Sequence, residues 1–198
     1  MRHKGVNKEE TRQRMLEAVG RGFRDRGYAG IGVDGLAKTA GVTSGAFYAH
    51  FGSKGEAFDV ALAAGLDEVI EAIPQYQIEY GRDWVNAFAN YYLGAPHVDN
   101  VAGGCAMAAL TTEVVRGGPN VRAVFEEKMA HIAGLLAAGL AGNSDEERRA
   151  RAWAMLGTLI GGVNLVRAMK TSNVASEIAE SIKTAAVKVA GRVRDTTR

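Results

Sequence analysis

Within this 198-residue chain, the segment from Gly27 to Lys54 leaves the fewest choices of structure. Leu36, Val42 and Phe47 are spaced to face one core, Ala37 is small enough for two helices to cross closely, and Gly41 between them can take a positive φ. The spacing predicts a short helix over 33–40, a turn at Gly41-Val42-Thr43, and a second short helix from Ser44 to Phe51 that starts at a hydroxyl-bearing N-terminus. This is the pattern of a helix-turn-helix, in which the second helix projects from the core instead of being buried in it. Phe47 and Phe51 are the ring positions expected inside.

The flanking sequence is helical too. Met15, Leu16, Val19 and Phe23 give residues 8–26 an apolar stripe, with Gly27 as its left-handed stop. Ser53, with Glu56 three residues on, opens a fourth helix that Pro74 is expected to end or kink after Ile73. Further helices are predicted over 83–93, 104–116, 120–140, 145–169 and 176–194, separated by Gly94-Ala95-Pro96, Gly117-Gly118-Pro119 and Gly142-Asn143-Ser144. The fold class is therefore all-α: a three-helix head over 1–53, followed by a larger helical bundle over 54–198.

Charge separates the same two parts. Residues 1–54 carry ten Lys/Arg against five Asp/Glu, and the remainder fourteen against seventeen. A basic head on a mildly acidic body suits a protein whose N-terminal part meets a polyanion. Arg2, His3, Lys4 and Lys8 form either a phosphate-tracking arm or a solvated tail. The single cysteine, Cys105, excludes an internal disulfide, and the charged N-terminus does not read as a secretory signal, so the cytoplasm is the expected location. The apolar run 152–166 is too short to cross a bilayer and reads as a buried helix. His3, His50, His97 and His131 lack metal-ligand spacing. No His-Glu-x-x-His, Gly-x-Ser-x-Gly or phosphate-cradling Gly-Lys-Ser/Thr loop occurs. Neither an enzyme nor a cofactor is expected; a non-enzymatic helical carrier of hydrophobic ligands is the alternative, and it would not need the basic head.

The run Gly41-Val42-Thr43-Ser44-Gly45-Ala46-Phe47-Tyr48-Ala49-His50-Phe51, followed by Ser53-Lys54 and Glu56, resembles the DNA-binding domain of the TetR family of bacterial transcriptional regulators. The likeness extends over residues 8–60; beyond them the chain matches mainly in length and helix order. The resemblance implies DNA contacts from Thr43, Ser44, Gly45, Tyr48, His50 and Lys54. Physical chemistry agrees with most of these. Thr43 and Ser44 can donate to phosphates or base edges, Gly45 permits close backbone approach, Tyr48 presents a hydroxyl on a rigid ring, and Lys54 sits at a helix N-terminus. Ala46 can meet a thymine methyl. Two departures stand out. The helix from Ser44 lacks Arg, Lys, Asn and Gln, the side chains that read bases bidentately, so specificity would rest on shape and methyl contacts. Gly32 stands where the family usually caps the second helix with a hydroxyl.

The resemblance further implies a homodimer on a palindromic operator and a small-molecule effector that releases the DNA, with repression the expected mode. The last two long helices would pair with their twins. Trp153, Leu156, Leu159, Ile160 and Val163, with Gly157, Gly161 and Gly162, suit that role, as do Ile178, Ile182, Ala185, Val189 and Val193. Trp84, Phe88, Tyr91, Tyr92, Met107, Leu110, Phe125, Met129 and Leu136 either line an effector cavity or fill the core. Cys105, after Gly103-Gly104 and at a helix start, is either a thiol activated by the helix N-terminus, as in family members with a similar Gly-Cys junction, or a small buried residue.

Overall fold

The computed structural model describes residues 3–194, with side chains from Glu9 onward. Ten helices follow in order: α1 (His3–Gly30), α2 (Val33–Thr39), α3 (Ser44–Phe51), α4 (Lys54–Tyr80), α5 (Trp84–Tyr92), α6 (Ala95–Val98), α7 (Ala106–Arg116), α8 (Pro119–Gly139), α9 (Asp145–Ala168) and α10 (Ser172–Ala190). A single 3-10 turn, Gly81–Asp83, joins α4 to α5. Among the described residues there is no strand, only an isolated bridge between Leu140 and Val193. No helix among them is long and apolar enough to cross a membrane.

The head forms as the local signals require. Gly27 breaks α1 with φ 70°, and Gly41 takes φ 69° in the turn between α2 and α3. Gly32 precedes α2 in an extended conformation and gives no side-chain cap. Met15, Val19, Phe23, Leu36, Ala37, Phe47 and Phe51 close the core of the head, with Val42 packed at its edge. At the start of α4 the Ser53 hydroxyl accepts from the Glu56 amide at 3.1 Å. Phe58 then packs edge-on against both Phe23 and Tyr28, tying α4 to α1.

α4 does not stop before Pro74; it runs on to Tyr80. Proline removes one helical donor, but the packing around it holds the turn in place. Ile73 is fully buried, and the Gln77 amide donates to the Leu135 carbonyl of α8 at 2.9 Å. The last helix is also displaced from its predicted range. It ends at Ala190, because Gly191 adopts φ 72° and the Arg151 guanidinium bonds to the carbonyls of Ala141 and Ala190. Val193, expected on the helix, instead lies in extended backbone beside Leu140.

The apolar stripe of α9 divides between two faces. Leu156, Leu159 and Val163 are buried within this chain, and Gly162 lies so close to Ile182 of α10 that a Cβ would overlap it. Trp153, Gly157, Gly161 and Leu165 form a second face that none of the described residues covers; Cβ atoms at Gly157 and Gly161 would meet open space. Replacing Gly162 by valine therefore overpacks the α9–α10 seam and should cost about 2 kcal/mol in urea unfolding, whereas Gly162→Ala should cost less.

Candidate nucleic-acid interface and effector cavity

The turn before α3 is held by Thr43, whose hydroxyl accepts from the Ala46 amide at 3.2 Å while the residue stays exposed. Ser44 donates to the Asp34 carboxylate at 2.5 Å, so its hydroxyl is already engaged by α2. Gly45 is exposed, Ala46 half-buried, and Tyr48 projects with 51% of its surface exposed. His50 is half-buried on the last turn of α3. Lys54 lies 4.5 Å from the centroid of the Tyr28 ring, a cation–π contact that holds the ammonium at the start of α4. Sequence reasoning missed Asp34 and Tyr28, which touch the assigned residues through contacts that motif matching does not register. Arg2 lies outside the described residues, and so do the side chains of His3, Lys4 and Lys8.

The aromatic set of the body divides into core and cavity. Phe88, Tyr91, Tyr92 and Cys105 line a cavity of about 90 Å³, together with Tyr76, His97 and Glu68, which the sequence did not single out. Trp84, Met107, Leu110, Met129 and Leu136 are buried core, and Phe125 packs against that core; none of them lines this cavity. His97 comes from α6, a single turn too short to carry a periodic signal. Its ring stacks on Tyr92 with centroids 5.0 Å apart and meets Tyr91 edge-on at 4.7 Å. The Arg167 guanidinium donates to the His97 carbonyl, with Nε at 3.0 Å, and fixes the α6 turn on α9. Burial, with Arg167 beside it, holds the His97 imidazole below its usual 6.5. Burial likewise pushes the Tyr76 phenol up to about 12.

Cys105 stands at the N-cap of α7 and is buried, the second of the two readings the sequence allowed. Burial pushes its thiol above the ordinary 9.0, outweighing the neighbouring Tyr92 hydroxyl and the α7 amides that favour the thiolate. Desolvation therefore overrides the helix N-terminus here.

A larger cavity of about 360 Å³ opens at the joint between head and body, lined by Tyr28, Phe58, Asp59, Glu113 and Arg116 among others. Its charges are mixed, and none of the buried side-chain polar atoms without a protein partner belongs to it. No cluster of three or more His, Cys, Asp or Glu side chains suited to a metal occurs among the described residues.

The compact three-helix head, with its short exposed helix mounted on a larger helical body, has the helix-turn-helix arrangement. Residues 16–61 match the family described as "Bacterial regulatory proteins, tetR family". The match covers the head and the start of α4. The chain is 29% identical over 136 residues to the HTH-type transcriptional repressor NemR of Escherichia coli K12, covering 66% of this chain and 67% of that protein. It is 35% identical over 68 residues to the HTH-type transcriptional activator FasR of Mycolicibacterium smegmatis, covering 34% of this chain and 31% of that one. The fold superposes on the reduced form of Escherichia coli NemR with a TM-score of 0.71 at 18% identity, covering 94% and 99% of the two chains. A TetR-family regulator from Agrobacterium tumefaciens gives 0.73 at 15% identity, with 89% and 97% covered.

The buried thiol makes a direct prediction. At pH 7.5 a chromogenic disulfide reagent should react with native Cys105 at least tenfold more slowly than with the urea-unfolded chain. Equal rates would mean an accessible, activated thiol. The depressed His97 gives a second expectation. Its contribution to stability is complete above pH 6.5 and is lost as pH falls below that value towards its lower folded pKa, so urea midpoints should fall more steeply between pH 6.5 and 5 than in a His97→Leu variant.

Proposed function

We propose that this regulator binds a palindromic operator as a homodimer and is released from it by a small molecule. In this reading residues 1–53 contact DNA, and residues 54–198 dimerise and bind the effector. The observation that carries it is the exposed α3 between Thr43 and Lys54, set on the more basic part of the chain. Thr43, Gly45, Tyr48, His50 and Lys54 are the proposed contacts. Ala46 meets a thymine methyl, and Ser44 acts while bound to Asp34. Repression is the proposed mode, in keeping with the name of the NemR relative, although the FasR relative is called an activator.

The uncovered face of α9 supports dimerisation. Trp153, Leu165 and, on α10, Val174 are exposed at 39%, 52% and 42%, beside two glycines that admit a helix at close range. A two-fold pairing of these helices sets two copies of α3 roughly 34 to 36 Å apart, one turn of DNA.

Release is proposed to travel along two contacts between head and body. The Arg24 guanidinium of α1 donates Nε to the Ala102 carbonyl at 2.7 Å, in the loop that continues into the cavity residues Gly103, Gly104 and Cys105. α7 starts at Cys105 and brings the Glu113 carboxylate against Gly27, next to the Tyr28 ring that holds Lys54. An occupant of the cavity that moves this loop would move α1 and Lys54 with it.

Selection of bound duplexes from a random pool, followed by titration across a salt series, tests the reading. A palindromic site and a steep negative salt slope are expected. Tyr48→Ala should weaken binding about tenfold, and Lys54→Ala should also reduce the salt slope by about one unit. Leu165→Glu should yield monomers in sedimentation and lose the site while retaining helicity. Recovery of no specific duplex at low salt would favour a carrier of hydrophobic ligands.

A further inference from the structure

Two polar atoms in the α4–α7 cavity lack a protein partner. Tyr92 is 2% exposed and His97 6%, yet the Tyr92 hydroxyl and His97 Nδ1 meet no group in hydrogen-bonding geometry. The Cys105 thiol beside the Tyr92 hydroxyl is a weak hydrogen-bonding group that a stronger partner would displace. Burying a polar atom unpaired is costly, so two on adjoining walls of one cavity mark a place where partners arrive from outside. The stacking of the Tyr92 and His97 rings fixes both atoms relative to each other.

Size and charge narrow what can arrive. The cavity measures about 90 Å³. It is smaller than the roughly 150 Å³ apolar cavity that admits benzene, so a handful of heavy atoms fills it. The aromatic faces of Tyr76, Phe88, Tyr91 and Tyr92 favour an apolar part in the occupant. Glu68 is the one charged side chain in its lining and sits exposed, which disfavours an anion. Arg24 and Arg167 stand behind the walls, each with Nε donated to a backbone carbonyl, and repel a cation without offering an anion a direct contact. Resting on the reading of the body as an effector domain, we propose that this cavity binds a compact uncharged molecule carrying both a hydrogen-bond donor and an acceptor, held by Tyr92 and His97. Primary amides and small hydroxy-carbonyl compounds are the chemical class.

Four probes of similar size separate the possibilities: propionamide, propionate, n-propylammonium and 1-chloropropane. They are titrated into the full-length protein without DNA and followed by heteronuclear NMR at pH 7.5. Propionamide should bind at least fivefold more tightly than the other three and shift signals of residues around Phe88, Tyr92 and Cys105. Tyr92→Phe should weaken propionamide about fivefold, the weight of one hydrogen bond, while the melting temperature holds or rises because an unpaired hydroxyl has been removed. His97→Leu should weaken it similarly, with helicity retained. Equal binding of a charged probe or of 1-chloropropane overturns the proposal, and so does unchanged propionamide affinity in a folded Tyr92→Phe variant. Operator release is measured separately. Propionamide binding without release would support this ligand class and overturn effector control of DNA binding.

Discussion

One helix serves two cores, and the rest of the molecule is arranged around it. α4 spans 27 residues, roughly 40 Å, and carries Ala57, Phe58, Ala61 and Leu62 at the head end and Ile73 in the body, all buried. Phe58 locks that helix to α1 through Phe23 and Tyr28, while Gln77 locks its far end to α8. Neither core can close unless α4 is straight enough to reach both. This explains why a proline that costs about 3 kcal/mol in a helix interior is tolerated at position 74. Stopping the helix there would expose Ile73 and leave α5 without the Tyr76 ring that Phe88 meets edge-on.

With α4 fixed at both ends, α7 supplies the other path between body and head. It has 11 residues, roughly 16 Å, with the buried Cys105 at one end and Glu113 against Gly27 near the other. A helix that short moves as a unit, so under the proposed reading a displacement at the cavity would reach the Tyr28–Lys54 pair without melting any element. Arg24 lies alongside as a direct tether between α1 and the loop before α7.

What could be read from the sequence follows from how local each determinant is. The head was legible because Gly41, Thr43, Ser53 and the Leu36–Phe47 spacing act within a few residues of one another, and α3 falls where its cap residues put it. The α9 stripe was legible as apolar but not as divided. A period of 3.6 residues marks an apolar face without saying whether this chain or a second copy covers it, and only the contact of Gly162 with Ile182 assigns Leu156, Leu159 and Val163 to the chain's own core. α10 was misplaced because the signal that ends it, Gly191, depends on an arginine 40 residues earlier in the chain. The cavity was half legible for a similar reason. Aromatic content flagged Phe88, Tyr91 and Tyr92, but His97 sits on a four-residue helix with no pattern to reveal it. For Cys105 the sequence left two readings open, an activated thiol at a helix start and a small buried residue, and its burial among residues distant in the chain selects the second.

The recognition helix and the cavity also limit each other energetically. Without arginine, lysine, asparagine or glutamine, α3 forgoes base contacts worth about 1–3 kcal/mol each, so under the proposed reading operator affinity would lean on phosphate contacts and on the spacing of two heads. Spacing is the quantity that a shift of α1 and α4 changes. A ligand of about five heavy atoms has little to spend on that shift, since binding reaches at most about 1.5 kcal/mol per heavy atom. Moving an equilibrium from 1:99 to 99:1 takes about 5.5 kcal/mol of differential affinity. Of the roughly 7.5 kcal/mol that five heavy atoms supply at that ceiling, about three-quarters would then have to discriminate between the two states. Under the proposed reading, the DNA-bound conformation would hold the Tyr92–His97 cavity far less favourable to the molecule than the released one.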